Sequence, residues 1–363
     1  MSNTIGKMFS VTSFGESHGQ LIGVVVDGCP AGLKIDTGDM EFMLRRRRPS
    51  GEGDTARREP DRPEILSGTL NGITTGAPVA MVVANEDVDS SPYGRAMRIP
   101  RPGHADLAAG LKYGGFADHR GGGRFSGRIT AGFVLAGSLA KQLLAGCGIE
   151  VLAHTVEIGG IKAASSSLEQ IRNAPRQNEL SCADGDAVTN MLRLIRQAKQ
   201  EGDSIGGIIE VIGLGLPAGL GEPVFDTLDG DIAKALFAVP AVKGIEFGAG
   251  FDAARLRGSV NNDPYFLTEE NLVKTATNNA GGVAGGMSNG MPLMARVAIK
   301  PTPSISKIQD SIDLETRRPT KLEVAGRHDT CIVPRAVVVI ESMAAVTIAD
   351  FARRAQIIPG VLK

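Results

Sequence analysis

Tryptophan is absent from the 363-residue chain, and tyrosine occurs three times. Proteins that hold single-stranded nucleic acid by stacking bases need aromatic platforms, so that class is disfavoured. Cysteine is scarce: Cys29, Cys147, Cys182 and Cys331 lie far apart and form no C-x-x-C pair. A disulfide framework and a zinc ribbon are therefore not expected, and a reducing compartment fits. No acidic pair suggests a metal site either. An excess of positive charge is also missing. Lysine and arginine number 39 against 40 aspartates and glutamates, a formal net charge of -1. Polynucleotide-binding domains are usually basic overall, so nucleic acid is not an expected partner. No apolar run approaches the roughly 20 residues of a membrane span. The N-terminal MSNTIGKMFSV has no apolar signal-peptide stretch. A cytoplasmic protein without membrane contact is the expectation.

Glycine, by contrast, is plentiful at 47 residues, and a 42% hydrophobic content supports a large core. The chain also repeats itself. VVVDGCPAGL at 24–33 matches VIGLGLPAGL at 211–220, and each is followed by Asp-Thr (Asp36 and Thr37, then Asp226 and Thr227). GITTGAPVAMVVA at 72–84 matches GMSNGMPLMARVA at 286–298. A polar loop with a histidine follows in each half, then a long apolar helix near 129–146 and near 335–356. Val-rich runs bounded by Gly and Pro predict buried strands at 20–27, 79–84, 206–214 and 293–299. Residues 151–204 predict a strand, a Ser-rich turn and a polar helix near 187–200. The expectation is an α+β fold, with antiparallel sheets packed on helices and an internal pseudo-two-fold duplication. One domain would span 1–363, with pseudo-repeats at about 10–150 and 205–357 and an insertion at about 151–204. The interface of the halves is then the natural place for a cleft.

Chemistry-bearing residues concentrate at 98–128, which holds five arginines, two of the five histidines and eight glycines. Glycine lets backbone N–H groups crowd a ligand, and arginine offers a fixed fork of donors to phosphate or carboxylate. Histidine moves protons near neutral pH. The run Gly121, Gly122, Gly123 opens towards the helix near 129, where an anion can meet a helix N-terminus. It matches neither a Walker loop nor a dinucleotide fingerprint. Four consecutive arginines at 45–48 close a helix. They suit the helix dipole, yet four in a row cannot share one face, so two of them are expected to point inward. His18 stands between small residues beside Ser17 and Glu16 as an acid or base candidate. Ser17 and His18 are adjacent on extended chain and point opposite ways, which disfavours a Ser-His hydrolase. Lys300, Pro301, Thr302, Pro303 and Ser304 follow a strand and offer a lysine and hydroxyls to phosphate. Asp329, beside Arg327 and His328, is a candidate for a tuned carboxylate. The rival readings are a nucleic-acid module using 45–48 and 120–128, and a phosphotransferase with an unfamiliar anion loop.

Taken in order, these segments resemble the chorismate synthase family. They are GESHG at 15–19, RRRP at 46–49, RREPD at 57–61, RPGHAD at 101–106 and KYG at 112–114. RGGGR at 120–124, NAGG at 279–282, KPT at 300–302 and RHD at 327–329 complete the set. The resemblance covers nearly the whole chain. It implies a β-α-β sandwich with internal pseudo-symmetry, in a homotetramer. It implies a lyase of the shikimate pathway of aromatic amino acid biosynthesis. That enzyme converts 5-enolpyruvylshikimate 3-phosphate to chorismate and phosphate by 1,4-anti elimination. Reduced FMN would be required without net redox change, and NADPH is the candidate reductant.

The same resemblance assigns roles. His18 would protonate the departing phosphate, His104 would protonate the reduced flavin, and Asp329 would help the flavin take up the C6 proton. Ser17, Arg47, Arg48, Arg101 and Arg128 would bind the substrate's anionic groups. The flavin contacts would fall on Arg124, Phe125 and Ser126, on Pro240 and Ala241, and on Gly285. They would continue over Lys300, Pro301, Thr302, Pro303 and Ser304 to Arg327. Arg47 is also the expected nicotinamide contact. Phe125 stands where many relatives carry serine, which removes a side-chain hydroxyl. The stretch 50–54 is one residue shorter than in many relatives and lacks their arginine, which weakens a second nicotinamide contact. His119 stands where tyrosine is common and is not assigned to catalysis.

Overall fold

The structure, a computed structural model, describes residues 3–362 except 50, 52, 56, 58, 91–97 and 325–327. Two five-stranded antiparallel sheets enclose a layer of helices. The first sheet contains β1 (Thr4–Ile5), β2 (Ser10–Gly15), β3 (Leu21–Asp27), β4 (Glu64–Ile65) and β5 (Val79–Ala84), in the order β1-β2-β3-β5-β4. The second contains β6 (Glu150–Ile158), β7 (Ile161–Lys162), β8 (Gly207–Leu214), β9 (Val242–Phe247) and β10 (Leu293–Ile299), in the order β9-β10-β8-β6-β7. Read from the far edge, the two orders correspond strand for strand. β3 and β8 lie at both centres, β5 and β10 beside them, and β2 and β6 on the other side. The segment 151–204, expected to stand outside the repeats, thus supplies most of a sheet strand in β6. Its two helices, Leu168–Gln177 and Gly185–Gln200, lie beyond that strand in the chain.

The helices of the middle layer follow from the sequence pattern. Helix α1 (Thr37–Arg47) is capped by the Asp36 side chain, which accepts from Asp39 N. It stops before Pro49, as a pre-proline residue resists helix. Helix α2 (Asp106–Lys112) is short, lies outside that layer and directly follows the His104 segment. Helix α3 (Thr130–Ala145) is apolar on nearly every side and buried along most of its length. In the second half, α4 (Leu228–Phe237), capped by Thr227, stands where α1 stands in the first. Helix α5 (Val333–Arg354) takes the place of α3, with Pro334 in its first turn, where a missing N–H costs nothing. Helices α3 and α5 pack on each other; α3 also packs on β3 and β5, and α5 on β6 and β8.

Close approach sets this packing. A Cβ on Gly132 would lie 2.9 Å from Val24 Cγ1, which lets α3 settle onto β3. A Cβ on Gly137 would lie 2.1 Å from Ser342 Cβ, so α3 and α5 touch almost backbone to backbone. The core is continuous through both halves, from Ile22, Val24 and Met81 to Val211, Ala295 and Val297. Each buried Ile, Val or Leu contributes roughly 1.5–3 kcal/mol. Among the described residues, no helix is long and apolar enough to cross a membrane.

Candidate active site

A cavity of about 560 Å³ opens at one end of the helix layer. The first half contributes the C-terminus of α1, the loop after it, the segment at 101–105 and the glycine run leading into α3. The second half contributes the turn between α4 and β9, the loop after β10, and the start of α5. Segments far apart in sequence meet here because matching chain ends of the two halves emerge on the same side.

The cavity wall is cationic, with Arg47, Arg57, Arg101 and Arg128 on it. Each is held by a carboxylate. Asp61, fully buried, accepts from Arg47 Nη2 at 2.5 Å and from Arg128 Nη1. Burial opposes its charge, but the two guanidinium groups outweigh it and hold Asp61 below the usual carboxylate range. Burial lowers Arg47 to about 10, with Asp61 working against the fall, so Arg47 stays charged at neutral pH. Arg57 donates to Glu59 Oε1 at 2.6 Å and to the Ser17 hydroxyl and carbonyl, both at 3.1 Å. Arg101 donates to both oxygens of Asp106, at 2.7 and 2.8 Å, and to the Ser304 hydroxyl at 3.2 Å.

The two histidines flank the glycine run. His104 Nδ1 lies 2.6 Å from Asp106 Oδ1, which makes Nδ1 the donor and leaves the Nε2 lone pair to accept. Burial opposes the Asp106 charge, yet the hydrogen bonds from Arg101 and His104 keep it well below the usual range. His104 lines the cavity; His18 does not. His18 is buried, with Nδ1 2.8 Å from Ser90 Oγ, and its ring packs on Gly121. A Cβ on Gly121 would lie 2.3 Å from His18 Cδ2, and one on Gly122 would lie 3.4 Å from His104. Both glycines have positive φ, +59° and +82°. Burial first, and then the Arg57 cation, push His18 below the ordinary imidazole value.

A further part of the wall belongs to the second half. Asp329 accepts from Arg335 Nη1 at 2.7 Å on both oxygens and from Thr55 N at 2.9 Å. Arg335 Nε donates to the Arg47 carbonyl at 2.9 Å, which ties α5 to the end of α1. Lys300 Nζ donates to the Gly103 carbonyl at 2.5 Å, and Thr302 Oγ1 to the Asp329 carbonyl at 2.8 Å. Burial and then nearby Lys243 lower Lys300. Phe125, Pro240 and Ala241 give the cavity flat apolar surface. Ala241 holds φ at +72°, a strained value for a residue with a Cβ. Arg124, half-buried, spends its donors on the Gly15 carbonyl at 3.0 Å and on Ser13. The Ser126 hydroxyl accepts from Arg128 N at 3.2 Å.

Of the residues singled out from sequence, the cavity gathers His104, Asp329, Arg47, Arg101, Arg128, Arg124, Phe125, Ser126, Pro240, Ala241, Lys300, Thr302, Pro303 and Ser304. Ser17, His18 and Arg48 stand behind its wall; Arg48 donates to the Asp61 carbonyl at 3.2 Å. Pro301 and Gly285 do not line it, and Gly285 occupies the turn between two two-residue strands. Arg327 lies outside the described residues, as does Arg58 of the RREPD motif. Of the four arginines at 45–48, Arg47 reaches the cavity, Arg46 turns inward to Glu341, and Arg45 is exposed. Sequence reasoning passed over Arg57, Thr55 and Arg335. Arg335 did carry a signal, as a lone cation in the first turns of an otherwise apolar helix.

Comparison with known proteins bears on this geometry. The family model described as chorismate synthase matches residues 9–352. A protein named chorismate synthase from Dehalococcoides mccartyi (strain ATCC BAA-2100 / JCM 16839 / KCTC 5957 / BAV1) is 55% identical over 364 residues, covering 100% of both chains. One of the same name from Korarchaeum cryptofilum (strain OPF8) is 51% identical, covering 96% of this chain and 97% of its own. A solved structure described as "Crystal Structure of Chorismate Synthase" superposes with a TM-score of 0.77 at 31% identity, covering 96% of this chain and 93% of that one.

Proposed function

The chain belongs to the chorismate synthase family, enzymes of the carbon–oxygen lyase class, and on that premise we propose that it converts 5-enolpyruvylshikimate 3-phosphate to chorismate and phosphate. The reaction is a 1,4-anti elimination. The C–O bond to phosphate and the C6–H bond break, a second ring double bond forms, and phosphate and a proton leave. The observation that carries this reading is one cavity lined by Arg47, Arg57, Arg101 and Arg128 together with the Asp329 carboxylate of the second half. The substrate bears two carboxylates and a phosphate, and guanidinium forks match both groups.

The donor set also fits FMN. A phosphate needs cations and hydroxyls, offered by Lys300, Thr302, Ser304 and Ser126. A flat ring needs apolar surface, offered by Phe125, Pro240 and Ala241. Reduced flavin, when bound, supplies electron density that eases departure of phosphate, with no net redox change. Phe125, in place of a hydroxyl, leaves backbone groups to do the polar work at that point.

The protein's own groups then divide the labour. Arg47, Arg101 and Arg128 bind and orient the substrate anions, with Ser17 and Arg48 supporting them from behind. His104, with Nδ1 committed to Asp106, takes up a proton at Nε2 and passes it on. His18 is neutral at neutral pH and serves the departing phosphate only after it takes up a proton, across Gly121. Asp329, fixed by Arg335 and Thr55 N–H, stands ready for the ring proton. Gly285, Pro301 and Arg327 remain flavin candidates from family likeness alone. NADPH, docking at Arg47, remains the candidate source of reducing equivalents. The chain reads as one domain with two pseudo-repeats, assembled as a cytoplasmic homotetramer. Exposed Phe225, Phe251 and Tyr265 supply the apolar surface that assembly would cover.

The deciding experiment is anaerobic incubation of the protein with substrate and dithionite-reduced FMN. Stoichiometric chorismate and inorganic phosphate are expected. Their absence with folded, flavin-saturated protein sinks this reading.

A further inference from the structure

Asp61 governs the cationic wall of the cavity without reaching it. One carboxylate oxygen accepts from Arg128 Nη1 and the other from Arg47 Nη2, while the Asp61 carbonyl accepts from Arg48 Nη2. Arg47 and Arg128 both line the cavity, and Asp61 does not. A buried carboxylate between two arginines can be a mere counter-ion. Three observations say more. Asp61 holds φ at +42°, a left-handed conformation that is strained for a residue with a side chain. Each carboxylate oxygen serves a different guanidinium, so a rigid planar group fixes the gap between two forks. Finally, Arg47 Nε is buried with no hydrogen-bond partner among the described residues, a donor the protein leaves unspent.

We propose that Asp61 is a positioning residue that presets the spacing of Arg47 and Arg128 for the substrate's anionic groups. The proposal rests on the reading of the cavity as a 5-enolpyruvylshikimate 3-phosphate site. The sign of one measurement separates a template from a counter-ion. A counter-ion competes with the substrate for the same arginines, and its removal tightens binding. A template organises them, and its removal weakens binding.

Two variants keep the test clean. Asp61→Asn preserves shape and removes charge. Asp61→Gly removes the carboxylate and relieves the positive φ, because glycine adopts it freely. Substrate affinity is measured by calorimetry with oxidised FMN present, and turnover with reduced FMN. Substrate affinity should fall roughly 10- to 100-fold in both variants, the scale of one charged hydrogen-bonding arrangement. KM should rise while kcat and FMN affinity hold. Sodium formate should restore part of the affinity of the glycine variant. Unchanged or tighter substrate binding in either folded variant overturns the proposal. So does failure of both variants to fold, which marks a purely architectural carboxylate. If the unaltered protein neither binds nor converts the substrate, the functional reading falls as well. If only the variant results fail, the functional reading stands.

Discussion

The glycine run lies against both imidazoles. A Cβ on Gly121 would clash with the His18 ring at 2.3 Å, whereas one on Gly122 would only touch His104 at 3.4 Å, and there the positive φ of +82° is what calls for glycine. The run therefore separates the two rings. His18→Ala and His104→Ala should each lower turnover by roughly 10²–10⁴ while leaving the fold intact. Steady-state kinetics with reduced FMN and a circular dichroism melt check both halves of that statement. A near-unaltered rate in either variant removes that histidine from the mechanism. The place of His104 and Asp329 on the cavity wall was legible from sequence, where charged residues stand beside glycine and apolar sequence. The partners that set their behaviour were not. Asp106 is two residues from His104, but Arg335 reaches Asp329 only after the chain turns into α5, and Thr55 reaches it from the other half.

At the scale of elements, the C-terminus of α1 shows how one helix end distributes four adjacent cations. Successive residues on a helix point about 100° apart, so Arg45 meets water, Arg46 the helix layer and Arg47 the cavity. A polybasic surface patch is not what this run makes. Arg46 donates to Glu341 on α5 at 2.7 Å, and Lys141 of α3 meets the same carboxylate, so three helices share one buried acid. Burial disfavours the Glu341 charge, but Arg46 and Lys141 outweigh it and hold the group at about 2. The folded value lies below the unfolded value of 4.5. Its stabilisation is therefore complete above the unfolded value and lost as pH falls through 4.5 towards 2. Glu341→Gln should cost about 3 kcal/mol at pH 7, because it strands the buried Arg46 guanidinium and unpairs the half-buried Lys141. The difference between variant and parent should shrink as pH drops through that window. Urea melts at pH 7 and pH 3.5 test it; an equal difference at both would refute the assignment. The helix itself was plain in the sequence from its cap and its proline stop. The inward turn of two arginines was expected, but the acid that Arg46 finds is nearly 300 residues away.

Over the whole molecule, the two halves repeat one strand order around a shared helix layer, and α3 and α5 meet at its middle. The strands were readable because Val-rich runs between Gly and Pro leave little choice. The extent of the second half was not, because β6 lies in a polar segment that the repeat motifs do not reach. One of the contacts that join the halves, Gly137 on Ser342, has no sequence signature beyond a small residue in an apolar helix. Its consequence can be weighed. Replacing a helix glycine by alanine ordinarily stabilises by up to about 1 kcal/mol. At Gly137 the added Cβ would lie 2.1 Å from Ser342 Cβ and 2.5 Å from its Cα, so no side-chain rotation relieves it. Overpacking of that kind costs about 1–3 kcal/mol and more when backbone must move, so the clash outweighs the propensity. Gly110, in α2, has no heavy atom within 4 Å of a built Cβ and serves as the control. Gly137→Ala should lower the denaturation midpoint, whereas Gly110→Ala should hold or raise it. The damage should also reach function. Helix α3 starts at the cavity with Thr130, and the first turn of α5 carries Arg335, so prising the helices apart moves the two walls of the site against each other. Gly137→Ala should therefore weaken FMN and substrate binding together, under conditions where the protein is still folded. A stability loss with both affinities intact would show that the helix contact and the site are independent.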